Sequence, residues 1–203
     1  MRKTLTALLI ILSACCYAQS VAQDAKPAGV AKRNFKHHAK IEASYDPSSN
    51  KTTVVLNSYK LSESTTEAIG NMEYFYIMCG FTYDGRVLTA TPNRIELHII
   101  SDGTRGWKFD NDSKRVLTIT VDGERLELGT MTVVRSRHYQ LSSSPVSYSR
   151  SGYLEEVYTA LTYDGMVKVA SGKRVLLNIG QLKLELRDEH MEALRDLVSR
   201  MTP

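Results

Sequence analysis

VLTITVDGERLEL, residues 116–128, is the stretch that decides the fold class of this chain. Its first half is β-branched and apolar, and its second half alternates charged residues with leucine, which is typical of strands with one buried face. Asp122-Gly123 separates the two halves, and a two-residue hairpin turn needs a positive φ at both positions, which Asp and Gly tolerate. The sequence therefore predicts a β-hairpin here.

Similar strand patterns occur on both sides of this hairpin. Runs rich in β-branched, aromatic or alternating apolar residues are separated by clusters of Gly, Pro, Asn, Asp and Ser. The run over residues 74–83 is aromatic and apolar enough that we expect its strand to be buried on both faces. The predicted strands cover residues 39–45, 52–61, 74–83, 94–101, 153–163, 175–179 and 182–186.

Two segments carry weaker patterns. Residues 61–70 combine a polar run with a short apolar pair, and this composition leaves a loop and a short helix equally open. Residues 136–152 are polar and rich in serine, so we expect them to form the longest loop or an edge segment.

The C-terminal residues predict an amphipathic helix. Their apolar side chains recur at helical spacing, and we expect the resulting stripe to pack on a sheet face. Asp188 stands where its side chain can cap the first turn. The stripe consists of Met191, Leu194, Leu197, Val198 and Met201.

An internal repeat links two distant parts of the chain. Residues 81–100 and 161–180 match at nine of twenty positions without a gap, and both copies contain Thr-Tyr-Asp-Gly. We expect each copy to be a strand, a corner, a short helical or irregular connection and a second strand, with pseudo-two-fold symmetry between the copies. Asp84 and Asp164 are expected to form turns or caps beside glycine, and a shared acid/base role for their carboxylates is the alternative.

Together these patterns predict a strand-dominated α+β domain. We expect a mostly antiparallel sheet or a two-sheet sandwich, built from two related units and completed by the C-terminal amphipathic helix. Hydrophobic residues make up 42% of the chain and charged residues 24%, which is typical of a globular protein. The predicted domain covers residues 35–203, and residues 19–34 are small, polar or helix-breaking and predict a flexible tether.

The first 18 residues predict a signal peptide. Arg2 and Lys3 give a positive start, and the apolar stretch over residues 5–12 is far shorter than the roughly 20 residues that a transmembrane helix needs. From this pattern we expect export to an extracytoplasmic compartment, the periplasm or the cell envelope.

Leu12-Ser13-Ala14-Cys15 resembles the lipobox of bacterial lipoproteins. The resemblance covers these four residues and their context, and it implies cleavage before Cys15 and attachment of a lipid to the Cys15 thiol. Acyl chains add about 0.8 kcal/mol of membrane affinity per buried methylene, so such a lipid would hold the domain at a membrane surface. The alternative is a freely secreted protein that is cleaved later, at about residues 18–25.

Cysteine content and charge narrow the range of functions. Once the leader is gone, only Cys79 lies inside the predicted domain, so no disulfide framework is expected, and its apolar neighbours predict a buried hydrophobic side chain. Loss of Arg2 and Lys3 with the leader lowers the formal charge from +4 to +2. Because the remaining charges are well mixed, nucleic acid is not an expected partner.

The sequence contains no motif that identifies a catalytic, metal or cofactor site. The five histidines, His37, His38, His98, His138 and His190, lack the spacing of a metal site. A nucleophile elbow and a glycine-rich phosphate loop are also missing from the sequence. Trp107 is interpreted as a core anchor, and a place in a ligand groove beside a tyrosine is the alternative.

These observations favour a non-catalytic protein of the bacterial cell envelope. We expect the domain to bind another envelope protein or an extracytoplasmic ligand through a sheet edge, a groove or residues 136–152, with no cofactor. The alternative is a secreted or anchored hydrolase without a recognisable motif. A deep pocket that gathers catalytic side chains would favour the hydrolase, and a shallow apolar patch or an unpaired sheet edge would favour binding.

Overall fold

The structure is a computed structural model, and it describes residues 35–66, 71–143 and 148–203. The leader with Cys15 and the tether over residues 19–34 lie outside the described residues. Ten strands and two α-helices occur in the described part of the chain, which confirms the strand-dominated α+β prediction. The strands are β1 Ile41–Asp46, β2 Lys51–Thr66, β3 Asn71–Asp84, β4 Ile95–Gly103, β5 Val116–Val121, β6 Glu124–Thr130, β7 Thr132–Ser143, β8 Tyr148–Leu161, β9 Val175–Ile179 and β10 Leu182–Leu186.

The strands form two antiparallel sheets. The large sheet has six strands in the order β1-β2-β3-β4-β8-β7, and the small sheet has four in the order β10-β9-β5-β6. Met131 is buried and separates β6 from β7, so the chain passes from one sheet to the other within a single residue. The hairpin predicted over residues 116–128 is confirmed, and its turn has φ values of 51° at Asp122 and 93° at Gly123.

The core lies between the two sheets and against the helices. On β3 the side chains of Phe75, Ile77, Cys79 and Phe81 point into the core, while Tyr74, Tyr76 and Met78 lie on the opposite face and are partly exposed. The prediction that this strand is buried on both faces is wrong. Its outward side chains are large and apolar or aromatic, so composition alone did not separate the two faces. The buried side chains of the small sheet include Leu117, Ile119, Val121, Val175, Leu177 and Ile179.

Two helices, α1 Tyr163–Ser171 and α2 Asp188–Ser199, pack beside the small sheet. The predicted stripe of α2 is buried except for the half-buried Val198, and it contacts α1 as well as β2 and β10. The N-cap is Arg187, and Asp188 is the first helical residue, so the predicted capping role of Asp188 is wrong by one position. Of the helices that the structure describes, none has the length and apolar character needed to cross a membrane.

The repeated segments share their flanking strands and differ in their connections. Phe81 and Leu161 both pair with Ile95, so β3 and β8 flank β4 and run parallel to each other. The first connection, residues 85–94, is irregular, whereas the second contains α1 and leads to β9 in the small sheet. The second copy therefore joins the two sheets, while the first copy stays in the large sheet.

The two weakly patterned segments are largely extended. β2 continues to Thr66, so the prediction of a loop or a short helix is wrong for residues 61–66, and residues 67–70 lie outside the described residues. Residues 136–143 and 148–152 belong to the β7–β8 hairpin. The edge-segment prediction is therefore correct for β7, because β7 is the last strand of the large sheet.

Candidate functional site

The segment between β4 and β5, residues 104–115, leads from the large sheet to the small sheet, and we call it the crossover loop. The carboxylate of Glu155 on β8 anchors it. Glu155 is 2% exposed and accepts hydrogen bonds from the backbone N–H of Phe109, at 3.0 Å, and from that of Lys108. Because a buried carboxylate needs such donors, Glu155 and the loop stabilise each other.

A second contact fixes the loop to β3. The Lys108 ammonium group forms an ion pair with the carboxylate of Glu73, whose side chain is 10% exposed. Removing either partner would leave a poorly solvated charge, so this pair holds the loop in one position. Phe109, next in the chain, is buried and occupies the core position that the loop needs as an anchor.

A cleft of about 1050 Å³ lies between the crossover loop and the sheets, and we call it the Trp107 cleft. Its volume is in the range of small-molecule sites. Most of its walls come from the loop, from β3, and from the face of β5 and β9 that points away from the core. The lining side chains include apolar Phe75, Trp107, Leu176 and Leu182, neutral polar Thr118, Thr120, Asn178 and Gln181, and charged Glu73, Lys108, Lys114 and Arg125.

Trp107 is partly exposed in the wall of this cleft. Its ring packs edge-to-face on Tyr153, with the centroids 4.9 Å apart and the planes at 76°. Tyr153 in turn contacts His138 at 5.0 Å, so three rings form a row across the end of the large sheet. The groove interpretation of Trp107 therefore describes its surroundings better than the core-anchor interpretation, since Phe109 fills the core position.

The positive charges in the cleft walls are matched by carboxylates. Besides the Lys108–Glu73 pair, the Lys114 ammonium group lies 2.8 Å from the carboxylate of Asp110, and this contact lowers the pKa of Asp110. Arg125 pairs with Glu127 at 3.2 Å, and both of these side chains are exposed. Each of the three cationic side chains in the cleft therefore has a carboxylate partner.

The neutral side chains of the cleft lie on one face of the small sheet. Thr118 is directly opposite Asn178 in the pairing of β5 and β9, and Thr120 is opposite Leu176. Among the residues that the structure describes, the hydroxyl groups of Thr118 and Thr120 have no hydrogen-bond partner. The Asn178 Nδ2 donates to the backbone carbonyl oxygen of Thr118 at 3.5 Å, so the amide oxygen of Asn178 and the two threonine hydroxyl groups are the groups available to a ligand.

Two cleft side chains that could act as a nucleophile or a base are engaged with other partners. The hydroxyl of Ser113 donates to Asn111 at 2.7 Å, and the carboxylate of Glu73 is paired with Lys108. A nucleophile beside a general base is the usual signature of hydrolytic catalysis. The cleft residues described above form no such pair.

The outward face of the large sheet is a second candidate surface. His98 bonds to Glu156 through Nδ1 at 2.8 Å and stacks on Tyr158, and Glu156 also pairs with Arg135 at 2.7 Å. These groups satisfy one another across neighbouring strands, which is common in sheets. We therefore assign these groups a structural role.

Tyr139 and Asp102 form another pair on the same face. The Tyr139 hydroxyl donates to the carboxylate of Asp102, and this hydrogen bond, together with partial burial, raises the pKa of Tyr139 to about 12. The Tyr139 ring lies against Gly152, the residue opposite it on β8, where any side chain would collide with the ring. This pairing stabilises the far end of the β7–β8 hairpin.

The repeated aspartates lie in different structural settings. Asp84 is the last residue of β3 and Asp164 lies in the first turn of α1, and both side chains are exposed. The cap of α1 is Thr162, whose hydroxyl oxygen accepts a hydrogen bond from the Gly165 N–H at 3.1 Å. Asp164 therefore lies within the first helical turn and is not its cap.

Other residues singled out in the sequence have structural surroundings. Cys79 is buried, as predicted, and burial raises the pKa of its thiol to about 12. His190 is 1% exposed and bonded on both ring nitrogens, and His37 bonds to Asp196 at 3.2 Å. Among residues 35–66, 71–143 and 148–203, no group of three or more His, Cys, Asp or Glu side chains is placed to hold a metal ion.

Sequence reasoning missed Glu73, Glu155 and the residues around them. A signal for these two was present, because strand alternation places Glu73 on the same face as Phe75, and Glu155 on the same face as Val157. An acidic residue on the buried face of a strand requires donors from elsewhere in the chain. Comparison of the chain with family models, with curated proteins and with solved structures finds no match.

Proposed function

We propose that this chain is an exported protein of the bacterial cell envelope that binds an extracytoplasmic ligand without chemically altering it. The single observation that carries the proposal is the Trp107 cleft. Its walls come from segments far apart in the sequence, and they combine an accessible aromatic ring with unused hydrogen-bonding groups. Such a combination is typical of a ligand site.

The leader supports export and attachment to a membrane. A positive start, a short apolar stretch and Leu12-Ser13-Ala14-Cys15 favour a lipid anchor at Cys15, with residues 19–34 as the spacer between membrane and domain. A tethered binding domain meets its ligand at a high local concentration, because the anchor confines it to the same surface. A modest affinity would then suffice.

Export and lipid anchoring are tested by producing the full chain in a bacterial host and measuring the intact mass of the mature protein. We expect the mature chain to begin at a lipid-modified Cys15 and to sediment with membranes. Cys15→Ser should abolish the lipid, and the adjacent Cys16→Ser is the matched control that should retain it. A mature chain without lipid removes the anchor, and an intact Met1 in the cytosol removes export.

The binding role is tested by measuring how much of the same purified chain is retained on envelope material from which the lipids have been extracted with detergent. Because the lipids are removed, insertion of the lipid anchor into membrane does not contribute to retention. We expect the purified chain to be retained, and Trp107→Ala to reduce retention about tenfold, since loss of a well-placed aromatic contact costs about 1 kcal/mol or more. Lys183→Ala, on the small sheet but outside the cleft, should behave like the parent chain. Equal retention of the parent chain and Trp107→Ala would contradict the proposal.

A further inference from the structure

We infer that the Trp107 cleft takes a neutral, polyhydroxylated ligand, namely a short segment of a glycan. This inference rests on the proposed function, because it names the class of ligand for the cleft that the proposal uses. It is carried by the pairing of apolar and neutral polar side chains in one cleft and by the internal balance of its charges.

The polarity of the cleft walls matches that of a sugar ring. A sugar ring has an apolar face of C–H groups and a polar rim of hydroxyl groups. The cleft offers both environments, since Trp107 and Leu176 are partly exposed apolar surfaces while Thr118, Thr120 and Asn178 supply polar groups beside them. A purely apolar ligand would leave these polar groups desolvated and unpaired, which is costly.

The neutral polar side chains of the cleft can form hydrogen bonds in both directions. Thr, Asn and Gln side chains each both donate and accept, as sugar hydroxyl groups do. Thr118, Thr120, Asn178 and Gln181 therefore match a ligand whose groups also do both. A carboxylate or phosphate ligand would use only the hydrogen-bond donors of these side chains, and an ammonium ligand would use only their acceptors.

The ion pairs of the cleft favour a neutral ligand. Lys108, Lys114 and Arg125 already have carboxylate partners in Glu73, Asp110 and Glu127. An anionic ligand would have to compete with these partners, and the Lys108–Glu73 pair is held in a largely buried position. A neutral ligand leaves all three ion pairs intact, so it is the better fit.

The row of three aromatic rings favours a ligand that is longer than the cleft. The row of rings continues from Trp107 to Tyr153 and His138, and His138 is exposed at the edge of the large sheet. A polymer can therefore extend beyond the cleft along this row. A chain of several sugar units should bind more tightly than a single unit, because each added ring gains a contact.

The experiment uses the fact that Trp107 is the only tryptophan in the sequence. Its fluorescence reports on the cleft without labelling. The purified mature chain is titrated with neutral oligosaccharides of several units, namely fragments of chitin, cellulose and starch, and in a parallel arm with acidic oligosaccharides of galacturonate. We expect a saturable change in Trp107 emission with at least one neutral series and with increasing affinity as the chain lengthens.

Variants define the site by calorimetry, which does not need tryptophan. We expect Trp107→Ala to weaken binding of the responding oligosaccharide about tenfold or more and Asn178→Ala to weaken it several-fold. Trp107→Phe should retain part of the affinity because it keeps an aromatic surface. Lys183→Ala is the control outside the cleft and should bind like the parent chain, and thermal melting confirms that each variant is folded.

The outcomes separate this inference from the proposed function. Trp107-dependent retention on envelope material together with no response to any neutral oligosaccharide, or with a response to the acidic series alone, overturns the glycan assignment and leaves the binding role intact. Neutral oligosaccharide binding that is unaffected by Trp107→Ala also overturns it. Loss of Trp107-dependent retention itself would instead contradict the proposed function.

Discussion

His190 connects helix α2 to the large sheet through a single buried side chain. Its Nδ1 accepts a hydrogen bond from the backbone N–H of Arg187 at 2.9 Å, and its Nε2–H donates to the carbonyl oxygen of Lys60 at 2.8 Å. The ring also packs edge-to-face on Tyr59 at 5.0 Å. The imidazole therefore closes the first turn of α2 and sets the position of the helix against β2.

Replacing His190 by alanine should lower the free energy of unfolding by about 1–3 kcal/mol, because two hydrogen bonds and a buried ring contact are lost. Urea-induced unfolding followed by circular dichroism measures the change. His38→Ala, at an exposed side chain, is the control and should stay within about 0.5 kcal/mol of the parent chain. Equal stability of His190→Ala and the parent chain would show that the helix docks without this side chain.

At the scale of elements, the turn between β5 and β6 also fixes the connection between α1 and β9. The carboxylate of Asp122 accepts hydrogen bonds from the backbone N–H of Arg174, at 2.7 Å, and of Lys173, at 3.0 Å. These donors lower the pKa of Asp122, with Arg174 the larger contributor. The hairpin that the sequence predicts most clearly thus holds a neighbouring strand in place.

The stabilising effect of Asp122 should depend on pH. Because the pKa is lower in the folded state, the carboxylate contributes stability above its unfolded pKa of about 3.9, and this contribution is lost as the pH falls through the folded-state pKa. Asp122→Asn should therefore lower the melting temperature at pH 7, and the difference from the parent chain should shrink at pH 3. Thermal unfolding at both pH values measures this.

Glu127→Gln is the matched control for that experiment, because it removes one negative charge from the same hairpin. Its partner Arg125 is exposed, and exposed ion pairs contribute little to stability. We expect its melting temperature to follow that of the parent chain at both pH values. A destabilisation by Asp122→Asn that persists unchanged at pH 3 would mean that the charge of Asp122 is not the cause.

At the scale of the whole molecule, the crossover loop makes the cleft and links the two sheets. Glu155 on β8 holds the backbone of Lys108 and Phe109, which lie 47 and 46 residues away in the sequence. Lys108 then pairs with Glu73 on β3. The position of Trp107 therefore depends on contacts from both middle strands that flank β4.

Glu155→Ala should release the loop, shift the emission of Trp107 to longer wavelength and weaken ligand binding in the cleft. The cost in unfolding free energy should be about 1–3 kcal/mol, because two backbone N–H groups lose their buried acceptor. Fluorescence spectra and chemical unfolding of the same sample measure both effects.

Glu156→Ala provides the comparison, since it removes the neighbouring carboxylate on the opposite face of the same strand. Glu156 pairs with His98 and Arg135, so its loss should also destabilise the domain. The emission of Trp107 should remain that of the parent chain. A similar emission shift in both variants would indicate a general loosening of the sheet rather than release of the crossover loop.

Local patterns in the sequence were sufficient for most of the strands, for the tight turns and for the apolar stripe of α2, but they missed β7 and the first part of β8, whose residues are polar and rich in serine. Hairpin turns and helix stripes depend on residues within a few positions of one another, which is why Asp122-Gly123 marked its turn correctly. Boundaries were less accurate, as the N-cap of α2 shows, and the exposed face of β3 was missed because its outward side chains are also apolar and aromatic.

The sequence by itself determined that the domain is a strand-rich α+β fold with one buried thiol and a C-terminal helix. Only the tertiary structure decided where Trp107 lies, that Glu155 and Glu73 hold the crossover loop, and that one copy of the repeat joins the two sheets. The physical reason is that secondary structure follows from short-range periodicity, whereas a cleft is formed by contacts between segments that only folding brings together.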